Sequence, residues 1–215
     1  MSRIVVIGGH GKVALLLAPL LASRGDEVTS VIRNPAHVED VRAAGADPVV
    51  ADVERMGVEE LADLLRGHDA IVWSAGAGGG DPERTYAVDR DAAIRAVDAA
   101  AQAGVRRFVM VSYFGAGPEH GVPDSEPFFH YAEAKAAADA YLRETDLDWT
   151  VLGPSRLTLE PATGLIETGP EVGKGEVGRA DVAAVVAAAL VEPATIGRTI
   201  EFNNGAQPLA DALRG

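Results

Sequence analysis

The chain predicts an α/β fold built on a doubly wound parallel sheet, and three observations predict it. Short apolar runs alternate with segments of helical periodicity over residues 3–154. A glycine-rich turn, Gly8-Gly9-His10-Gly11, separates the first apolar run from the first helical segment. The composition, 47% hydrophobic and 24% charged over 215 residues, suits one α/β domain with a sizeable core.

Ile4 to Ile7 is the first strand, and Val13, Leu16, Leu17, Leu20 and Leu21 then recur at helical spacing until Arg24-Gly25. Glu27 to Ile32 is the second strand. Arg33-Asn34-Pro35 closes it, with Pro35 suited to the first turn of a helix through Val38 and Val41 to Gly45. Asp47 to Ala51 is a short third strand ending at Asp52, and Val58, Leu61, Leu64 and Leu65 mark the next helix, up to Gly67. Asp69 to Ser74, apolar enough to be covered on both faces, is the fourth strand. Ala75 to Gly80 follows as a flexible glycine loop, then one long helix from Pro82 to Ala103, stopped at Gly104. Arg107 to Ser112 is the fifth strand. Tyr113 to Pro127 is a long loop of the kind that usually carries function. Phe128 to Thr145 is a helix, and Trp149 to Leu152 is a sixth strand closed by Gly153-Pro154. Residues 155–215 are mixed, with a helix from Arg179 to Val191 and a last strand from Thr199 to Phe202. They are expected to form a smaller C-terminal cap on a single domain, 1–215.

Strand, glycine turn, helix is the context that makes a glycine pattern a dinucleotide site. The spacing is Gly8-x-x-Gly11-x-x-Ala14. Gly8 permits the tight turn, Gly9 adds freedom, Gly11 admits a pyrophosphate, and Ala14 lets the helix pack closely. His10 flanks the pyrophosphate. The helix start at Lys12-Val13 offers unpaired N–H groups and a partial positive charge. In an open parallel sheet the ligand crosses the carboxyl ends of the strands. That groups the glycine turn with Arg33, Asn34, Asp52, Val53, Ser74, Ala75, Gly76, Ser112 and Pro154.

A site that prefers NAD carries an acidic residue about 20 positions past the glycines. Here Arg33 stands at the end of the second strand, and no Asp or Glu occurs between Val28 and His37. A guanidinium grips a 2′-phosphate that a carboxylate repels, so NADP(H) is expected over NAD(H). A solvated surface arginine is the plain alternative. Asn34 can bind the phosphate or start the turn. Asp52 can accept from an adenine amino group, with Val53 against the ring, or can cap a helix.

Tyr131 and Lys135 stand at i, i+4, so phenol and ammonium share a helix face. A nearby ammonium lowers a tyrosine pKa and makes it a general acid/base. Lysine also suits a ribose hydroxyl, and Lys12, Lys135 and Lys174 are the only lysines among 19 basic residues. Ser112, at the end of the fifth strand, can orient a substrate oxygen or merely cap a turn. Tyr113 is a neighbouring candidate for the phenol.

Other classes are disfavoured. A net charge of −13 opposes nucleic acid and anionic membrane as partners. There is no cysteine for a disulfide, a thiolate or a metal site, and no histidine pair stands at i, i+4. No Gly-x-Ser-x-Gly elbow points to a serine hydrolase. The longest apolar run, Val182 to Val191, is too short to span a bilayer, and the N-terminus runs directly into a strand. A cytoplasmic protein with a small-molecule substrate and no metal is expected; monomer and homodimer both stay open.

Taken in order, Gly8-x-x-Gly11-x-x-Ala14, Ala87-Val-Asp89, Gly104 to Ser112, Tyr131-x-x-x-Lys135, Thr150 to Pro154 and Gly178 to Ala183 resemble an atypical short-chain dehydrogenase/reductase. Within that family the chain is similar to the NAD(P)H-binding, NAD-dependent epimerase/dehydratase-like group, over residues 3–203. The resemblance implies a Rossmann fold, NADP(H) in the crevice, and a Ser112–Tyr131–Lys135 set. Asp89 falls where the broader superfamily commonly has an asparagine of the proton relay. Ala14 replaces a glycine, and the arginine often found before Pro154 is absent. An oxidoreductase, or an epimerase using bound NADP, acting on a small carbonyl or hydroxyl compound is the expected activity. Two other readings stay open: an NADP(H)-sensing regulatory protein with little catalysis, and a flavin or quinone reductase.

Overall fold

In the computed structural model, which describes residues 1–78 and 81–215, seven parallel strands form the body of a nine-stranded sheet. They are β1 (Arg3–Ile7), β2 (Glu27–Ile32), β3 (Asp47–Val50), β4 (Ala70–Trp73), β5 (Arg107–Val111), β6 (Asp148–Pro154) and β10 (Arg198–Asn204). A short parallel pair, β7 (Arg156–Thr158) with β9 (Glu176–Gly178), lies outside that sheet. The antiparallel strands β8 (Leu165–Thr168) and β11 (Gln207–Pro208) finish one edge, giving the order β11-β8-β10-β6-β5-β4-β1-β2-β3. The chain moves outward from β1 to β3, then returns to place β4 on the other side of β1. This reversal creates the switch point at which a doubly wound sheet opens a crevice.

The two-residue period of each strand divides the core. Ile4 and Val6 face α1 (Lys12–Ser23) and α7 (Arg179–Ala189), where Leu17, Leu21, Val182 and Val186 are fully buried. Val5 and Ile7 face the other layer, with α3 (Val58–Leu65), α5 (Ala93–Ala103) and α6 (Phe129–Arg143). Alanines 96, 99, 100 and 138 let these helices approach closely. A knot ties the end of α7 to the sheet: Arg107 donates to the Ala189 carbonyl (2.6 Å), Thr150 Oγ1 (2.9 Å) and Thr195 Oγ1 (3.0 Å). Burial lowers its pKa to about 10.

The expected strands and principal helices are present, with informative differences. The helix at 82–103 begins as α4 (Pro82–Thr85) and reaches α5 through wide π-helical turns over Tyr86–Ala92. The second helical segment starts as a 3₁₀ turn at Pro35–His37 before α2 (Val38–Ala43). β6 runs on through Gly153 and Pro154, because β10 pairs with both in parallel register. Residues 155–215 do more than cap: β8, β10 and β11 extend the main sheet, and α8 (Leu209–Ala212) packs beside them. Of these, β10 was expected as the last strand, whereas β8, β11 and α8 carry too few residues for periodicity to reveal them. Of the expected glycine loop, Ala75 to Gly78 is irregular, and Gly79 and Gly80 lie outside the described residues.

Candidate functional site: two clefts at the carboxyl ends of the strands

A cleft of about 290 Å³ opens where β1, β2, β3 and β4 end. Its walls hold Gly8, His10, Gly11, Arg33, Asn34, Asp52, Val53, Ser74, Ala75 and Gly76, all expected there from the sequence. Gly8 sits at φ +87°, and a Cβ on it would meet the Ala75 backbone at 2.6 Å. The glycine turn is pinned by Gly8 and Gly9 N–H groups, both donating to the Val31 carbonyl, at 3.1 and 3.0 Å. α1 begins at this turn with Gly11 as N-cap and no side chain satisfying its first amides. An uncapped twelve-residue helix opening on a cleft is a fit for a pyrophosphate.

Four expected residues take other places. Gly9 is absent from the cleft wall; its Cα packs so closely on Ser30 that a Cβ would lie 2.4 Å from Ser30 Cβ. Lys12 is exposed off the packing stripe of α1, and Val13 begins that stripe inside the core, so neither side chain lines the cleft. Pro154 walls the neighbouring cleft instead, because β6 is longer than expected.

Sequence reasoning missed His37, Glu54 and Arg84 in the same wall. Arg33 Nη1 lies 3.7 Å from Glu54 Oε2, and Arg84 Nε donates to the same oxygen at 3.2 Å. The Arg33 side chain keeps 55% of its surface exposed. Asn34 starts the 3₁₀ turn, its Oδ1 accepting from Ala36 N–H at 3.0 Å. The His10 ring stacks on His37 at 3.6 Å and reaches Asp40 Oδ2 at 3.0 Å. Asp52 lies two residues past β3 and does not cap α3; Glu60 closes that helix start by accepting from Gly57 N–H at 2.9 Å.

The second cleft, about 490 Å³, opens at the ends of β5 and β6, one strand over from β4. Ser112 and Tyr131 both line it, with Tyr113, Phe114, Phe128 and Pro154. Ser112 is held by its N–H to the Leu152 carbonyl (2.8 Å), and its hydroxyl donates in a short hydrogen bond to Asp139 Oδ2. Asp139 is 0% exposed, and its Oδ1 has no partner among the described residues. Burial pushes its pKa up, against the opposing pull of Lys135, the Ser112 bond and Arg143.

Lys135 is 1% exposed and lines neither cleft; Nζ donates to the Val111 carbonyl at 2.9 Å and to Met110 Sδ at 3.3 Å. Its charge acts on two buried carboxylates, Asp139 and Asp89, opposing the burial that raises the pKa of both. The expected lowering of the Tyr131 pKa is therefore reversed. Burial first, then Asp89, Asp139 and Tyr113, push the phenol above its ordinary value. Tyr113 is also raised, to about 12, chiefly by burial.

Asp89, in the π-helical segment, accepts from Ala77 N–H at 2.9 Å, and its Oδ1 would lie 2.9 Å from a Cβ on Gly76. Burial raises its pKa. It thus positions the loop that walls the nucleotide cleft.

The profile of a family described as NAD(P)H-binding matches residues 8–193. The chain belongs to that family. This NAD(P)H-binding protein is 34% identical to the uncharacterized sugar epimerase YhfK of Bacillus subtilis, with 99% of each chain covered. It is 33% identical to the UPF0659 protein YMR090W of Saccharomyces cerevisiae, over 96% of this chain and 95% of the yeast protein. A solved structure from Bacillus halodurans, named for the NAD-dependent epimerase/dehydratase group, superposes with a TM-score of 0.91 at 33% identity, covering 99% of both chains. The oxidoreductase ylbE of Lactococcus lactis superposes with a TM-score of 0.87 at 32% identity, over 98% of this chain and 94% of that one. The expected membership of the epimerase-like atypical short-chain dehydrogenase/reductases, and the Rossmann fold, are both met. Among the described residues, no helix is long and apolar enough to cross a membrane.

Proposed function

We propose that this NAD(P)H-binding chain is an NADPH-dependent oxidoreductase that reduces a small carbonyl compound, working as one domain over residues 1–215. The carrying observation is the juxtaposition of two side chains, Tyr131 and Ser112, in a cleft one strand away from the nucleotide cleft. Bound in the nucleotide cleft, NADPH supplies the hydride. The uncapped amides of α1 and the backbone of Gly8 and Gly11 hold the pyrophosphate, and Arg33 grips the 2′-phosphate. Asp52 and Val53 border the adenine.

Tyr131 donates the proton to the carbonyl oxygen. The phenol is protonated at neutral pH, as donation requires, and burial makes it a weaker acid than a free tyrosine. Ser112 orients the same oxygen, and Lys135 serves as counter-ion to Asp89 and Asp139. A pure NADP(H) sensor would need no such acid facing a second cleft.

Calorimetry with NADPH and NADH, followed by loss of NADPH absorbance with a panel of aldehydes and quinones, tests the reading. Tight NADPH binding with turnover of a carbonyl compound is expected. No heat with either coenzyme overturns it; exchange at a substrate carbon without net oxidation reassigns the chain as an epimerase.

A further inference from the structure

The second cleft combines four aromatic rings with a cation that has no partner. Tyr113, Phe128 and Tyr131 pack ring to ring at centroid separations of 5.1 to 5.7 Å, and Phe114 joins them in the wall. Lys174 lines the same cleft, and among the described residues it takes part in no ion pair and no hydrogen bond. The other cation there, Arg156, is paired to Glu176.

Lys174 is exposed, yet its backbone is clamped by buried groups. Asn203 Nδ2 donates to the Gly173 carbonyl at 2.8 Å, and Gly175 N–H donates to Ser155 Oγ at 3.0 Å. Asn203 is 4% and Ser155 8% exposed. The side chain lies over Gly115, where a Cβ would come within 3.0 Å of Lys174 Cε and 3.2 Å of Nζ. Gly115, at φ +88°, thus leaves the space that the lysine tip occupies. Glu201, the nearby carboxylate, is engaged by Gly115 N–H at 2.7 Å. Lys174 thus fixes an unpaired ammonium beside an aromatic wall, with the Glu201 carboxylate close by.

We propose that the substrate is an aromatic carbonyl compound bearing a carboxylate, its ring among Tyr113, Phe128 and Tyr131 and its carboxylate on Lys174. With one ammonium and the Glu201 carboxylate close to it, a second negative charge would be repelled, which favours a carboxylate over a phosphate dianion. The rings supply offset or edge contacts to a flat body. The proposal rests on the reductase reading for the carbonyl, but not for the anion.

Direct binding tests the anion without turnover. Wild-type protein and Lys174→Met are titrated calorimetrically with benzoate, benzamide and phenyl phosphate, with NADP⁺ present and absent; thermal melts verify folding. Wild type is expected to bind benzoate about tenfold more tightly than benzamide, and Lys174→Met to lose that margin, with Lys174→Arg keeping part of it. In turnover, the kcat/KM ratio of 4-carboxybenzaldehyde to benzaldehyde should fall about tenfold in Lys174→Met. Equal affinity for benzoate and benzamide, an unchanged ratio, or tighter binding of phenyl phosphate overturns the proposal and leaves the reductase reading standing. Lysine-dependent benzoate binding with no reduction of any carbonyl compound overturns the reductase reading and leaves the anion site standing.

Discussion

Ser112 gives its hydroxyl hydrogen to Asp139, a carboxylate with no exposure to solvent. While Asp139 is ionised, Ser112 faces the cleft as an acceptor only. Protonation of Asp139 lets the carboxyl donate to Ser112 Oγ, which frees the serine hydrogen for a substrate carbonyl. The raised pKa of Asp139 brings that state closer to neutrality. Carbonyl reduction should therefore decline as pH rises through the Asp139 pKa. Asp139→Asn, which donates to Ser112 at every pH, should flatten that limb of the kcat/KM profile. A variant profile that keeps the wild-type limb removes Asp139 from the proton economy of the site.

The same carboxyl has a stability signature. Its folded pKa lies above its unfolded value of about 3.9, so the native state binds the proton more tightly. The stabilising contribution is complete below about pH 3.9 and is lost as pH rises through the folded pKa. The melting temperature of Asp139→Asn relative to wild type should therefore climb steadily from acid to neutral pH, as read by calorimetric melts in a pH series.

Tyr131→Phe removes the proposed acid while keeping the ring that packs on Phe128 and Tyr113. Turnover should fall roughly 10²- to 10⁴-fold. NADPH affinity should stay within about twofold, since Tyr131 is not in the wall of the nucleotide cleft. Retained turnover would hand the acid role to Tyr113.

Arg33→Ala should weaken NADPH binding about tenfold and leave NADH nearly untouched, the scale of one partly exposed charge-assisted contact. Glu54→Gln should act oppositely, because it releases Arg33 from a competing carboxylate. Parallel titrations of both variants with both coenzymes measure the discrimination. Equal losses for the two coenzymes in Arg33→Ala would refute the phosphate role.

Lys135→Met would leave Asp89 and Asp139 buried without their shared cation. Without that nearby charge both buried carboxylates become harder to ionise, so the folded state should lose stability where they are charged. The deficit against wild type should be greatest above pH 7 and shrink towards pH 4, as both carboxylates take up protons. A deficit independent of pH would show that only the packing of the lysine stem matters.

The nucleotide cleft was legible because its signals are local: Gly8 and Gly11 lie between a strand and a helix, and Ser74 to Gly76 end an apolar strand. Lys12 and Val13 enter through the backbone N–H groups of the helix start, while their side chains follow the stripe of α1, which buries Val13 and leaves Lys12 exposed. Asp139 acquires its role only when β5 docks on α6, a long-range event. Its signal was nonetheless present: an aspartate four residues after Lys135, and the buried residues of α6 besides those two are all apolar, Ala132, Ala134, Ala136, Ala138 and Leu142. Glu54, Arg84 and His37 reach the cleft from turns and helix ends whose direction no periodicity encodes.

The wide turns at Tyr86–Ala92 tie helix length to cofactor loop placement. Removing one residue there would let the coil relax to ordinary pitch and swing Asp89 away from the Ala77 amide. Insertions and deletions that a plain surface helix absorbs would here loosen the wall of the coenzyme cleft, so this stretch should tolerate substitution far better than any change in its number of residues.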